Sequence, residues 1–429
     1  MVKKFVVAVL FFTAMGLYAQ NGTVSPYSYF GIGELRAAST VENQMMGAIG
    51  VYGDSIHLNL TNPAAYSKLG LQVGENFGIT TYTAGISQNR IRLKSFTEEQ
   101  NTSVTNLDYL ALGFSLGKGF GVGAGIIPFS SVGYNLLSQS ENNSGAQVNN
   151  LFTGEGGLNR AYFSAGYELF TALSIGVTAN FNFGTLESQR VQSVENVQFG
   201  TKDQRTSKVN GMDFNYALYY TPLIKDKYTL FASARVNTQA NLASENSREL
   251  GSFLISEEQN IETIEVDLEA QGLKNTDIKI PTTTTLGLGF GEDRKWFLGA
   301  EYSFQKLSTY SNDFLAVDNL VYQDAGSYAL GGFFIPDHTS FDGYFKRVTY
   351  RAGIRYDKTG MLVNNTEINN FGITFGVGLP LGRSFSNLNL GFELGRRGTT
   401  SADLIEESYL KINLGLSFND LWFQKRKIN

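Results

Sequence analysis

The chain has 429 residues, of which 47 are Gly, 7 Pro, 32 Phe and 22 Tyr, with no Cys and 2 His. A formal net charge of −5 argues against a nucleic-acid binder that works by neutralising phosphate. The lack of Cys excludes disulfides, thiolate metal sites, a cysteine nucleophile and a lipidated Cys, and His57 and His338 are scant material for a histidine metal site or triad.

In chain order the first element, residues 1–19, reads as a secretory signal. Lys3 and Lys4 form its positive start, Phe5 to Leu17 its apolar stretch and Leu17-Tyr18-Ala19 its cleavage site, so Gln20 is the expected mature start. That apolar stretch is too short for a spanning helix, which takes about 20 residues. Residues 20–68 show little alternation, yet "YSYFGIGEL" and "NQMMGAIGVYG" are too apolar to stay solvated. They end on "NLTNPAAY", where Asn62 can accept a backbone N–H, Pro63 fixes φ and Ala64 lets the backbone pass close to a wall. Either this turn locks a folded plug, or it is an ordinary exposed Asn-Pro turn.

From residue 69 to 418 the pattern has period two. In "YLKINLGLSF", Leu410, Ile412, Leu414, Leu416 and Phe418 alternate with Lys411, Asn413, Gly415 and Ser417. Short turns are expected at 116–120, 170–173, 221–228, 291–295, 356–360 and 379–385. Long outer segments are expected at 94–106, 138–157, 190–206, 242–277, 310–341 and 398–406, with a further short reversal at 367–370 after a short strand at 361–366. These count fourteen strands, and 419–429 is left as a basic periplasmic tail.

Two architectures share such strands. A soluble sandwich turns its apolar face to a core, whereas a membrane barrel turns it to lipid and its polar face to the lumen. Stretches of ten to fifteen residues exceed the usual soluble strand of about 5–6 and cover the roughly 9–11 of a tilted spanning strand. Together with alternating short and long connections and aromatic residues at strand ends, they predict an all-β fold, a 14-stranded antiparallel transmembrane β-barrel. Its lumen is wider than its own side chains can fill, so residues 20–68 are expected inside it as a plug, in an outer membrane.

The pattern "MMGAIGVYGD" followed by "NPAAY" and fourteen strands resembles the FadL/OmpP1/TodX family of outer-membrane transporters for hydrophobic compounds. The hatch signature of that family falls on Met46, Gly47, Gly50, Asn62, Pro63 and Ala64. The ending "SFNDLWFQKRKIN" and the segment "GGFFIPDH" are similar to its Bacteroidota members. The resemblance implies capture of an apolar ligand by outer loops, a lumen pocket, and a hatch movement that opens the wall sideways to the bilayer.

Neither histidine lies beside a nucleophile motif, so no enzyme, cofactor or metal site is expected. Glycine-rich "GLGFGED" and "GVGAGIIP" lie in alternating strands with no helix following, where Gly leaves room for the plug. Glu168, Glu301, Arg351, Arg355, Glu393 and Lys411 fall on polar faces and would hold the plug or contact ligand. Segment 310–341, with Phe333, Phe334, Ile335 and Pro336, is apolar for an outer loop and is expected to receive a ligand or dock a protein. Acidic 242–277 reads as a solvated lid. The expected function is passive uptake of small hydrophobic molecules, fatty-acid-like or aromatic. The alternative is a non-transporting subunit or shuttle of an outer-membrane secretion or assembly complex. Expected partners are membrane lipid, the ligand and, in the second case, other outer-membrane proteins, with no nucleic acid.

Overall fold

The computed structural model describes residues 22–70, 79–254, 259–317, 319–382 and 386–421. The expected signal, residues 71–78 at the start of the expected barrel and tail residues 422–429 lie outside the described residues.

Fourteen antiparallel strands form a closed barrel. They are β1 (Ile79–Lys94), β2 (Glu99–Gly117), β3 (Phe120–Glu141), β4 (Gln147–Phe170), β5 (Leu173–Val194), β6 (Phe199–Tyr220) and β7 (Tyr228–Asn237, continued by Ala240–Leu254). The second half is β8 (Asn275–Ile280, continued by Thr283–Glu292), β9 (Trp296–Gln305), β10 (Ala325–Phe334), β11 (Thr349–Val363), β12 (Thr366–Pro380), β13 (Asn387–Arg397) and β14 (Glu406–Leu421). Closure comes from β14 pairing with β1, from Lys94 opposite Glu406 to Ile79 opposite Leu421.

The period-two pattern places side chains as a membrane barrel requires. On β6, Met212, Phe214, Tyr216, Leu218 and Tyr220 are 38–54 % exposed, while Asp213, Asn215, Ala217 and Tyr219 between them are buried. A soluble sandwich would show the reverse, because its apolar side chains leave water on folding. Strand length is uneven. β3 to β6 run 22–24 residues, β9 and β10 only 10, so one flank of the wall rises far past the roughly 9–11 residues that span a bilayer.

Several sequence expectations change. Segment 310–341 is not one outer apolar loop, because Ala325–Phe334 is the wall strand β10 in register with β9. Phe334 stands opposite Trp296, beside the turn at 293–295. Phe333 and Phe334 therefore end a strand at the short-turn end, and Ile335 and Pro336 begin a connection there, 335–348. The expected turn at 356–360 lies inside β11, where the register slips between Lys358 and Met361 and Gly360 takes a φ of 76°. The chain bulges there instead of reversing. Residues 361–366 are not a separate strand, and the reversal sits at Asn364 and Asn365 (φ 49° and 59°), not at 367–370. Positive φ at both central residues is what a two-residue hairpin turn demands.

Segments 94–106, 138–157 and 190–206 are mostly strand, with connections only at 95–98, 142–146 and 195–198. The acidic 242–277 is largely a hairpin of β7 with Gln259–Glu265. β14 continues to Leu421, past the expected start of the tail.

Residues 22–70 form no wall strand. They pack against the buried, inward-facing row of the strands: Val41, Met45 and Leu58 with Tyr109, and Met46, Ile49 and Val51 with Tyr219 and Phe297.

Candidate functional site

The Asn-Pro turn is buried, which rules out the exposed-turn alternative: Asn62 and Ala64 are 0 % exposed. Asn62 caps the 3-10 turn Pro63–Lys68, its side-chain oxygen accepting from the Ala64 N–H at 3.2 Å. Asn59 organises more of the segment. Its Nδ2 donates to the Gly50 and Tyr52 carbonyls at 2.7 and 2.9 Å, and its Oδ1 accepts from the Thr61 and Asn62 N–H groups.

The other signature residues also meet the wall. Pro63 and Ala64 lie over Gly166 and Gly176, which face each other across β4 and β5. Met46 and Gly47 lie over Gly331 and Gly353, paired across β10 and β11. A side chain at Gly176 would overlap the Ala64 amide, and one at Gly353 the Gly47 amide. The Gly47 N–H donates to Thr374 Oγ1 at 2.9 Å, and that hydroxyl donates to the Met45 carbonyl at 3.0 Å. Gly50 lies against Thr61 and Arg235.

The six anticipated charges divide into two groups. Three reach residues 22–70: Glu168 pairs with Lys68 at 3.1 Å, the Lys411 ammonium donates to Gln44 at 3.4 Å, and Arg351 donates to Asn389, whose amide donates to Glu42. The others pair within the wall, Glu301 with Arg235 and Arg355 with Glu393, both at 2.6 Å. Sequence reasoning missed Glu34 with Arg397 (2.6 Å), Arg36 with Asp108 (3.2 Å) and Arg160 with Asp213 (3.0 Å). Its signal was visible: Glu34 and Arg36 are lone charges in an apolar stretch, where a buried charge needs a partner.

The wall is unzipped between β2 and β3. Their pairing runs only from Leu110 opposite Ile126 down to Gly117 opposite Phe120, and beyond it the two strands part. The cause is local. β3 bulges between Pro128 and Ser130, and proline withholds a ladder donor. Opposite, Gly156 and Gly157 on β4 take φ of 104° and 148°, which suits residues lacking a Cβ. β3 then turns inward, with Ser130 to Tyr134 all buried.

Residues 22–36 close the gap from inside. Glu34 and Leu35 pair as a short strand with Ser131 and Ser130, Arg36 N–H donates to the Phe129 carbonyl, and the Ser28 hydroxyl accepts from Gly133 N–H. Arg36 also reaches the far lip, ion-pairing with Asp108 on β2. Behind this stopper lies a cavity of about 400 Å³ lined by apolar side chains and by the paired charges of β11, β13 and β14. Leu107 and Ile126 at the lips are exposed on the outer surface. Residues 22–36 thus stand between the interior cavity and the unpaired edges of β2 and β3.

His57 belongs to the same segment, its Nδ1 2.7 Å from Asp54 Oδ2 and its Nε2 3.3 Å from Asn387 Nδ2. Burial disfavours the imidazolium, but the Asp54 carboxylate, with Glu42 adding, outweighs it and raises the His57 pKa. Burial likewise works against the Asp54 carboxylate, and the imidazolium plus two backbone N–H groups lower its pKa on balance. The His57 contribution is complete below its ordinary value of 6.5 and is lost as pH rises through its higher folded value. The Asp54 contribution is complete above its ordinary 3.8 and is lost as pH falls through its lower folded value. Residues 54–57 are thus expected to hold firmest between those two values and to loosen toward alkaline pH. Limited proteolysis at pH 5.5 and 8.5 checks this: cleavage near 54–57 should rise at the higher pH, and His57→Gln should flatten the difference.

A family model described as BamG matches residues 1–429. No curated protein matches the chain. Among solved structures, the fold is similar to the Pseudomonas putida toluene transporter TodX, with 15 % identity over 91 % of this chain and 99 % of that one, at a TM-score of 0.58. It is similar to the Ralstonia pickettii toluene transporter TbuX, with 13 % identity over 90 % and 99 % at a TM-score of 0.56. A Pseudomonas aeruginosa FadL homologue aligns at 11 % identity over 90 % and 98 %, with a TM-score of 0.54.

Proposed function

From the premise that this chain belongs to the BamG family and folds as a closed fourteen-stranded barrel, we propose that it is an outer-membrane protein that passes a small, largely apolar molecule between its interior chamber and the bilayer. In this reading residues 1–19 are a cleaved signal, 20–68 a plug, and the short-turn end faces the periplasm. The observation that carries it is the unzipped β2–β3 seam in front of the cavity, stoppered by Glu34 to Arg36. A barrel that served only as a support would have no need of a break in its hydrogen-bonded wall, where open strand edges invite unwanted pairing. The fold shared with toluene transporters supports the reading. No catalytic group is assigned. The test is uptake of a panel of apolar compounds by cells lacking the gene and by complemented cells. Loss of uptake for at least one compound is expected, and equal uptake of every compound would overturn the proposal.

A second reading, a non-transporting subunit or shuttle of an outer-membrane secretion or assembly complex, has its own support. The whole chain matches the BamG model, whereas its likeness to the toluene transporters is one of fold at 13–15 % identity. Connection 335–348 also presents Phe341 and Phe345 at 100 % and 74 % exposure, and bare aromatic rings are typical interface anchors. Affinity purification in mild detergent separates the two: a stoichiometric partner lost with Phe341→Ser and Phe345→Ser favours the subunit.

A further inference from the structure

We propose that the interior cavity selects uncharged amphipathic molecules, an apolar body carrying a neutral hydrogen-bonding head such as an alcohol, and turns carboxylates away. The proposal rests on the transport reading and narrows it. Ile32, Leu35, Ile91, Leu307 and Met361 supply an apolar side to the cavity. The opposite side is charged, and its charges are already matched. Arg355 is held by Glu393 at 2.6 Å and by Asp357 at 3.5 Å. Arg397 is held by Glu34 at 2.6 Å and by Glu407 at 3.6 Å. Arg36 and Lys411 share Asp108 at 3.2 and 3.8 Å.

Four cations thus face five carboxylates, and the remaining lysine at the rim, Lys358, is exposed. Past Lys358, an entering carboxylate meets no cation that lacks a carboxylate partner. It would have to displace a resident carboxylate and leave that buried group unpaired, the costly way to break an ion pair. An ammonium gains little, because the carboxylates it would seek are also engaged. A neutral head has better prospects. Tyr310, Asn89 and Asn106 line the cavity, and Asn89 Oδ1 and Asn106 Nδ2 are buried without a hydrogen-bond partner among the described residues. Together they offer donors and acceptors without net charge, and satisfying such groups is what a hydroxyl head can do.

The test uses the full chain in lipid nanodiscs at pH 7.5, with 1-octanol, octanoate and octylammonium as equal-length probes read by saturation-transfer NMR and titration. Octanol is expected to bind at least about tenfold more tightly than octanoate. Glu393→Gln, which removes the nearer of the two carboxylates on Arg355, should raise octanoate affinity about tenfold relative to octanol; Asp357→Asn is the second variant should the first not fold. Octanoate binding as well as or better than octanol to the wild type overturns the selectivity and leaves the transport reading standing. If none of the three binds, the transport reading falls and takes this proposal with it.

Discussion

Replacing Gly176 by valine is expected to force the Asn62–Tyr66 turn off the wall and convert a sealed barrel into a leaking one. The added side chain would occupy the place of the Ala64 backbone amide, not the end of a flexible side chain. Neither neighbour can yield easily: Gly176 is fixed in register between β4 and β6, and Ala64 is held by the Asn62 cap and by the Ser67 hydroxyl bonding to its carbonyl. Overpacking of this kind costs about 1–3 kcal/mol, more where backbone is displaced. Gly353→Val should do the same to Gly47 on the opposite wall, and the double variant should exceed either. Single-channel conductance in planar bilayers is the measurement, with large steady openings expected and the wild type silent. Gly326→Ala is the control, since a methyl group there meets nothing nearer than 3.7 Å. Silent Gly176→Val channels would show that this turn does not seal the lumen.

Asp108→Ala is expected to unlatch the seam. The Asp108 carboxylate sits beneath both Arg36 and Lys411 and also accepts from the Ser87 hydroxyl. Its removal leaves a guanidinium that is 12 % exposed without its ion-pair partner. Stranding one member of a buried pair costs about 3–5 kcal/mol, and a cost of about 3 kcal/mol shifts a two-state balance more than a hundredfold. The cheapest relief is for residues 22–36 to leave the β2 lip, because the strands themselves stay paired to β1 and β4. The chain has no native Cys, so a single Ile32→Cys, at a position only 4 % exposed, reports the release. Maleimide labelling should be slow in the parent and markedly faster with Asp108→Ala. Equal rates would mean the stopper is held by its strand pairing to β3 alone.

The barrel was legible because its cause is local: an apolar outward row and a polar inward row repeat on every strand. The count of fourteen nonetheless rested on two errors that cancelled. β10 is hidden because "FLAVDNLVY" before it is as apolar as the strand itself, and "YDKTG" reads as a turn because its composition suits one. Only the partner strands decide that the chain bulges there and carries on. The upper parts of β3 to β6 looked like loops since above the membrane both faces of a strand are polar. Met46, Gly47 and Asn62 to Ala64 are legible as a motif, whereas nothing in the sequence marks Asn59, whose amide bonds the Gly50 and Tyr52 carbonyls. The seam could not be read beforehand. It depends on where β2 and β3 stop pairing, although Pro128 and the Gly156-Gly157 pair were there as hints.

The unequal heights of the strands have a consequence for traffic. Twelve to fourteen extra residues, at about 3.3 Å each and a tilt near 40°, raise the β3–β6 flank roughly 30–35 Å above the β9–β10 side. From the low side the chain folds over, Lys279 pairing with Ser311 and Arg205 reaching the Phe314 carbonyl on the way to the tall flank. The mouth is therefore a lean-to, with a parapet behind and a sloping roof in front. Under the transport reading a solute would come in under the eaves, and the seam lies at the foot of the parapet.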